Sequence, residues 1–150
     1  MNTDREGSEE DKTGKREYPH EELTGRIIKA AFEVSNTLGC GFLEKVYENA
    51  LALEVRAAGH QVQQQVPIRV LYRGQTVGDY CADMIVERAV LVETKATEKD
   101  NPLFAAQVLN YLRATGLPVG LLLNFGQPRL SYRRLVWGRN LRGAGTQGSA

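Results

Sequence analysis

No run of apolar residues in this chain approaches the ~18 needed to cross a bilayer, which argues against a helical membrane protein. The first twenty residues lack the apolar core of a secretory signal, so a cytoplasmic protein is the default. Cysteine is scarce. Cys40 and Cys81 are the only two, with neither CxxC spacing nor a nearby His pair. That pattern speaks against a zinc site and against a disulfide framework. The two thiols are expected as small, buried, apolar side chains in a reducing compartment. Charge is nearly balanced, at a formal +1. Any affinity for nucleic acid must therefore come from local rather than global positive charge. No phosphate-cradling glycine loop or dinucleotide fingerprint is present, so nothing supports a small-molecule enzyme of those kinds.

The chain does contain enough to build a core. Hydrophobic residues make up 42% of 150, and charged residues an ordinary 25%. That is one domain's worth of material. Composition divides the chain into a polar, disordered tail over 1–20, a folded domain over 21–140 and a glycine-rich flexible tail over 141–150.

Within the domain the apolar period changes in a readable way. Ile28, Ala31, Phe32 and Ser35 share one face of a helix from Glu22 to Leu38, stopped by Gly39. A second helix runs from Leu43 to Ala58. Glu44, Tyr47, Glu48 and Leu51 lie on one stripe, and Val46, Ala50, Leu53 and Ala57 form an apolar stripe beside it. Alternation then marks strands over 62–72 and 76–86, with a possible bulge at Gly78, and a valine-rich strand over 90–96. Asn101 and Pro102 open a third helix that Gly116 ends. Residues 119–125 and 129–137 complete the set as strands. The order α-α-β-β-β-α-β-β predicts an α/β fold, a central mixed β-sheet flanked by helices.

The hairpin at 84–92 carries the chemistry. A loop over 87–89 pairs Val86 with Val90, and counting back places Asp83 opposite Glu93. Opposed residues share a face about 5 Å apart, and Lys95 lies on that face too. Two carboxylates this close repel unless a cation separates them. Their hard oxygens favour Mg²⁺ or Mn²⁺ over zinc, and such an ion could activate water against a phosphodiester. The plainer alternative is a cross-strand salt bridge between Lys95 and one of the acids. Against it, a charged pair in an otherwise apolar, central strand needs a partner or a metal.

The segment Gly41-Phe42-Leu43-Glu44-Lys45-Val46-Tyr47 fits a GxxExxY signature. Asp83, Glu93-Thr94-Lys95 and Gln107-Val108-Leu109-Asn110-Tyr111-Leu112 follow it in order. Together these motifs resemble the GxxExxY protein family, within the PD-(D/E)XK nuclease-like superfamily, over roughly Leu23 to Trp137. The resemblance implies a restriction-endonuclease-like core and Mg²⁺-dependent phosphodiester hydrolysis, in DNA first and RNA second. It implies Asp83, Glu93 and the Thr94 carbonyl as metal ligands, Lys95 as the catalytic lysine, and Glu44 as a helical glutamate that approaches the metal. Gln107 and Tyr111 match the QxxxY motif that lies beside the site in RecB-like nucleases. One position departs: Phe104 stands where relatives often carry histidine.

Several residues keep a second reading. Glu44 taken alone would be a solvated helix residue. Tyr47 is expected as a packing residue that fixes the helix presenting Glu44. Arg129, Arg133, Arg134, Arg139 and Arg142 could form a phosphate-binding flank or a charged edge strand. His20 and His60 have no evident partner. The alternative to a nuclease is a non-catalytic nucleic-acid- or protein-binding module that retains the fold.

Overall fold

The computed structural model describes residues 19–138. Arg139, Arg142 and most of both expected tails lie outside these residues. Eight elements follow in the expected order: α1 (Glu21–Leu38), α2 (Glu44–Ala57), β1 (Val62–Tyr72), β2 (Gln75–Val86), β3 (Val90–Lys95), α3 (Pro102–Thr115), β4 (Val119–Asn124) and β5 (Ser131–Val136). The strands form one sheet in the order β1-β2-β3-β4-β5. Only β3 and β4 run parallel, and α3 is the crossover between them. The sheet is therefore mixed, as the element order requires.

Helices cover both faces. Val86, Val90, Val92, Leu121 and Leu123 pack with Ile27 of α1 and Leu51 of α2. The alternate residues Leu91, Leu122 and Leu135 pack with Val108 and Leu112 of α3. Burial on both faces explains why β4 is buried throughout and shows no alternation. Asn101 caps α3 as expected, its side chain accepting from the Leu103 N–H at 2.9 Å. The register shift in the first hairpin falls between Val70 and Leu71, next to Gly78. No helix among the described residues is long and apolar enough to cross a membrane.

Three expectations need correction. In α2 the buried stripe is Tyr47, Glu48, Leu51 and Val55, while Leu53 is 70% exposed. Of the apolar stripe beside it, Val46, Leu53 and Ala57 are exposed and only Ala50 packs partly against the core, because α2 meets α1 and the sheet through one face only. Both cysteines are exposed rather than buried. Cys40 sits between two glycines in the α1–α2 loop, and Cys81 lies on β2 beyond the covered part of the sheet. His60 does have a partner: its Nδ1 lies 3.1 Å from Glu87 Oε2, which also accepts from the Gln61 N–H.

The feature that positions the site is a break in the β1–β2 ladder. Gln64 pairs with Met84 and Val66 with Ala82, but Gln65 and Asp83 between them do not pair. Gln65 has a φ of 52°, uncommon for a residue with a side chain. Across this break the strand changes company. Met84 packs with the α1–α2 cluster, and Ala82 with the α3 cluster. Asp83 sits at the crossing point.

Candidate active site

The hairpin register is as counted: Val86 opposes Val90, Ile85 opposes Leu91 and Met84 opposes Val92. One step further, side chains replace the ladder. The Asp83 N–H donates to Glu93 Oε2 at 2.9 Å. Asp83 Oδ2 accepts from the Thr94 N–H at 2.8 Å and from the Thr94 hydroxyl at 2.9 Å. The two acids thus clasp each other's strands. Glu93 is 3% exposed and Thr94 fully buried.

Lys95 does not pair with either acid among the described residues. Its Nζ donates to Gln107 Oε1 at 3.1 Å and lies 4.7 Å from the centre of the Phe104 ring. Gln107 Nε2 in turn donates to the Tyr111 hydroxyl at 3.2 Å. The expected inward face of α3 is therefore present, and the departing residue Phe104 touches the lysine directly. The salt-bridge alternative for Lys95 is absent.

The Gly41–Tyr47 segment delivers Glu44 by a mechanical route. Gly41 has a φ of 119°, which only glycine adopts without strain. The Tyr47 hydroxyl donates to the Gly39 carbonyl at 2.6 Å and accepts from the Phe42 N–H at 3.1 Å. Its ring stacks on Phe125 at 4.8 Å. This pins the turn, so α2 begins at Glu44, an exposed residue whose carboxyl is partly shielded from solvent. Partial burial raises the Glu44 pKa, Asp83 raises it further, Lys95 lowers it and Glu48 raises it slightly. These couplings bring Glu44, Asp83 and Lys95 into one electrostatic neighbourhood.

Burial, followed by the Asp83 charge, pushes the Glu93 carboxyl up to about 8. The Asp83 N–H and Lys95 oppose that shift, and Glu44 adds to it. Tyr111 is also raised, first by burial and then by Glu93. The arrangement holds more negative charge than it neutralises, so it has use for a cation.

The donor chemistry fits a hard divalent ion. Every candidate ligand (Glu44, Asp83, Glu93, the Thr94 carbonyl) is an oxygen, and among the described residues Glu93 Oε1 and the Glu44 carboxylate carry no hydrogen bond. Yet among the described residues no three His, Cys, Asp or Glu side chains already converge closely enough to hold an ion. Asp83 and Glu93 are brought together, while Glu44 stands near them without joining.

Sequence reasoning missed two supports. Glu48 is 2% exposed, paired with Lys45 at 3.2 Å and accepting from Gln64 and Gln65. The Gln65 amide, which donates to Glu48 at 3.0 Å, also reaches Asp83 Oδ1 at 3.4 Å. A carboxylate on the same helical stripe as Tyr47 and Leu51 was a readable sign of burial. The other support is Asn124, 4% exposed, whose side chain accepts from Thr97 and Gly126 N–H groups just beyond Lys95. A Cβ at Gly126 would lie 2.3 Å from the Thr97 nitrogen, so only glycine fits there.

The three described C-terminal arginines do not share a face. Arg129 is exposed in the β4–β5 loop, while Arg133 and Arg134 alternate along β5. Arg134 Nε donates to the buried Thr24 hydroxyl at 2.9 Å, tying β5 to α1.

A mixed sheet with helices on both faces, carrying an acid on β2 and a second acid and a lysine at the end of the neighbouring central strand β3, defines a nuclease-type α/β domain. The chain belongs to the PD-(D/E)XK nuclease superfamily, whose family profile matches residues 21–135. Members of that superfamily generally use divalent metals such as Mg²⁺. Among solved structures, the crystal structure of SSO0001 is similar with a TM-score of 0.50 at 16% identity, covering 81% of this chain. The chain spans 61% of that protein's length. An alkaline exonuclease from Laribacter hongkongensis gives a TM-score of 0.47 at 14% identity, covering 80% of this chain and 73% of the other. At 16% identity, the likeness to SSO0001 speaks to the fold alone. No curated protein shows a significant match.

Proposed function

We propose that this protein is a Mg²⁺- or Mn²⁺-dependent nuclease that hydrolyses phosphodiester bonds, with DNA the first candidate substrate and RNA the second. The observation that carries this reading is the clasp between Asp83 and Glu93, beside a lysine left unpaired with either. An exclusively structural ion pair would have joined Lys95 to one of the acids. Asp83, Glu93, Glu44 and the Thr94 carbonyl would hold the ion. When bound, it supplies Lewis acidity, polarising the phosphodiester and acidifying adjacent water. Lys95, oriented by Gln107 and Phe104, stabilises charge on the phosphate or takes the proton of the attacking water. Tyr47 fixes the turn that presents Glu44, and Gln107 and Tyr111 support the lysine. Arg129 and Arg133 remain candidates for phosphate contacts in a cytoplasmic enzyme, and the motif order supports the narrower GxxExxY family.

One observation favours a non-catalytic binding module instead: the carboxylates do not converge as a ready-made metal site. The experiment is cleavage of labelled single- and double-stranded DNA and RNA with Mg²⁺, Mn²⁺ or EDTA. Metal-dependent cleavage that disappears in Asp83→Asn and Lys95→Ala supports the nuclease. Binding of nucleic acid without cleavage under any metal supports the module.

A further inference from the structure

Beyond Asp83 the β1–β2 hairpin extends as an arm that exposes Leu71, Tyr72, Val77 and Tyr80. Tyr80 differs from the others because its ring is held in place. Across the strands it opposes Ile68, which is only 3% exposed. Gly78, two residues earlier on the same face, leaves room for the ring. A Cβ there would lie 3.1 Å from Tyr80 Cε2. The ring centre stands 5.9 Å from that of Tyr111 on α3. Even so, Tyr80 is 52% exposed. An aromatic ring fixed on one side and open on the other loses little entropy on stacking.

Its location gives that open ring a use. Tyr111 accepts from Gln107, and Gln107 accepts from Lys95. Three contacts therefore link the exposed ring to the lysine of the proposed active site. Arg73, exposed at the turn of the same arm, lies over the Tyr72 ring at 5.4 Å, whereas Arg69 alternates to the face opposite Tyr80 and stands across from Asp79. Aromatics interleaved with cations are what single-stranded nucleic acid binds: bases stack on the rings while phosphates meet the charges. In a duplex both faces of each base are already covered, so a protein ring reaches a base only where the strand is unpaired.

We infer that Tyr80 is a stacking platform for an unpaired nucleobase beside the phosphate at Asp83, Glu93 and Lys95, which makes an unpaired strand the substrate this site accepts. The inference rests on the nuclease reading above and adds the substrate class to it. The stacking is non-covalent and specifies no base, since every base has a π-face.

The test uses the full chain carrying Lys95→Ala, so that strands are bound and not cut. Single-stranded oligonucleotides carry 2-aminopurine at successive positions, and binding is read by fluorescence quenching and anisotropy. One position is expected to be quenched. Adding Tyr80→Ala should abolish that quenching and weaken binding by roughly 5- to 150-fold, whereas Tyr80→Phe should preserve both. A strand abasic at the quenched position should bind the protein with Tyr80 intact and its Tyr80→Phe and Tyr80→Ala variants alike. Thermal unfolding of each variant shows whether the arm is intact, and Tyr80→Leu provides a folded, non-stacking second variant. Quenching and affinity that survive Tyr80→Ala or Tyr80→Leu overturn the inference. So does an equal loss of affinity for the intact and abasic strands. If no oligonucleotide binds either this protein or the unmutated chain held in EDTA, and the unmutated chain cleaves none with Mg²⁺ or Mn²⁺, the nuclease reading fails and takes this inference with it. Metal-dependent cleavage by the unmutated chain together with a neutral Tyr80→Ala sinks the stacking role alone.

Discussion

The backbone N–H of Asp83 donates to the Glu93 carboxylate while the Asp83 carboxylate accepts from Thr94, so the two acids bind each other's strands where the ladder opens. One consequence is a pH dependence. Glu93 titrates near 8, raised mainly by burial and then by Asp83, against an ordinary value of 4.5. Between these values the folded protein keeps a proton that the unfolded chain has released. Metal-free stability therefore falls as pH rises through that window and levels off above it. Cation binding requires the ionised carboxylate, so Mn²⁺ affinity should rise about tenfold per pH unit until about 8 and then flatten. Calorimetry in buffers of different ionisation enthalpy should show one proton released per ion in the lower range. Mn²⁺ affinity that does not change with pH there would sink this account, and Glu93→Gln should remove the dependence.

Substitutions at Asp83 separate structure from chemistry. Asp83→Ala strands the Thr94 N–H, a donor on a fully buried residue, and should destabilise by about 1–3 kcal/mol. Asp83→Asn keeps an oxygen for that donor and should unfold closer to the unmutated protein. Both should lose metal-dependent cleavage, because the amide is neutral. Urea denaturation run beside a cleavage assay checks this. An active Asp83→Asn protein would contradict the assigned role.

Lys95 is oriented by neutral groups, the Gln107 amide and the Phe104 ring, and not by the acids. Gln107→Leu removes the acceptor at similar volume. The lysine then has reason to collapse toward Glu93 and neutralise it. We expect kcat to fall on the order of 10- to 100-fold, with KM nearly unchanged and no loss of fold. Steady-state kinetics on an oligonucleotide substrate decide it. A KM effect without a kcat effect would move Gln107 from orienting the lysine to contacting substrate.

Much of this was legible in the sequence, for identifiable reasons. Periods of 3.6 and 2 placed the first two helices and the first two strands, caps placed α3, short apolar runs placed β3 and β4, and the 87–89 loop fixed the Val86–Val90 register that brings Asp83 beside Glu93. Local pattern ends where geometry depends on distant partners. The positive φ at Gln65 is set by the arm's change of face, and nothing in the sequence Val62–Tyr72 marks it. The Glu48–Gln65–Asp83 contacts join residues far apart in the chain. Arg133 and Arg134 read as one basic cluster, but strand alternation sends them to opposite faces. Cys40 is exposed because it sits in the α1–α2 loop and Cys81 because it lies on the uncovered part of β2, neither of which composition reports.

Tyr47 tests whether the GxxExxY segment is a positioning device. Its ring stacks on Phe125 and its hydroxyl holds both the Gly39 carbonyl and the Phe42 N–H. Tyr47→Phe keeps the stack and removes only the hydroxyl. Because Tyr47 is fully buried, the loss should cost about 1–3 kcal/mol in urea unfolding. The larger effect should appear at Glu44, three residues earlier. Without the pinned turn the start of α2 frays, and Glu44 must be ordered when an ion binds. Mn²⁺ affinity should therefore drop in Tyr47→Phe, and in Glu44→Gln by at least as much. The double variant should bind no more weakly than Glu44→Gln alone, since both changes act through the same carboxylate. Additive losses in that cycle would show that Tyr47 serves the fold but not the site.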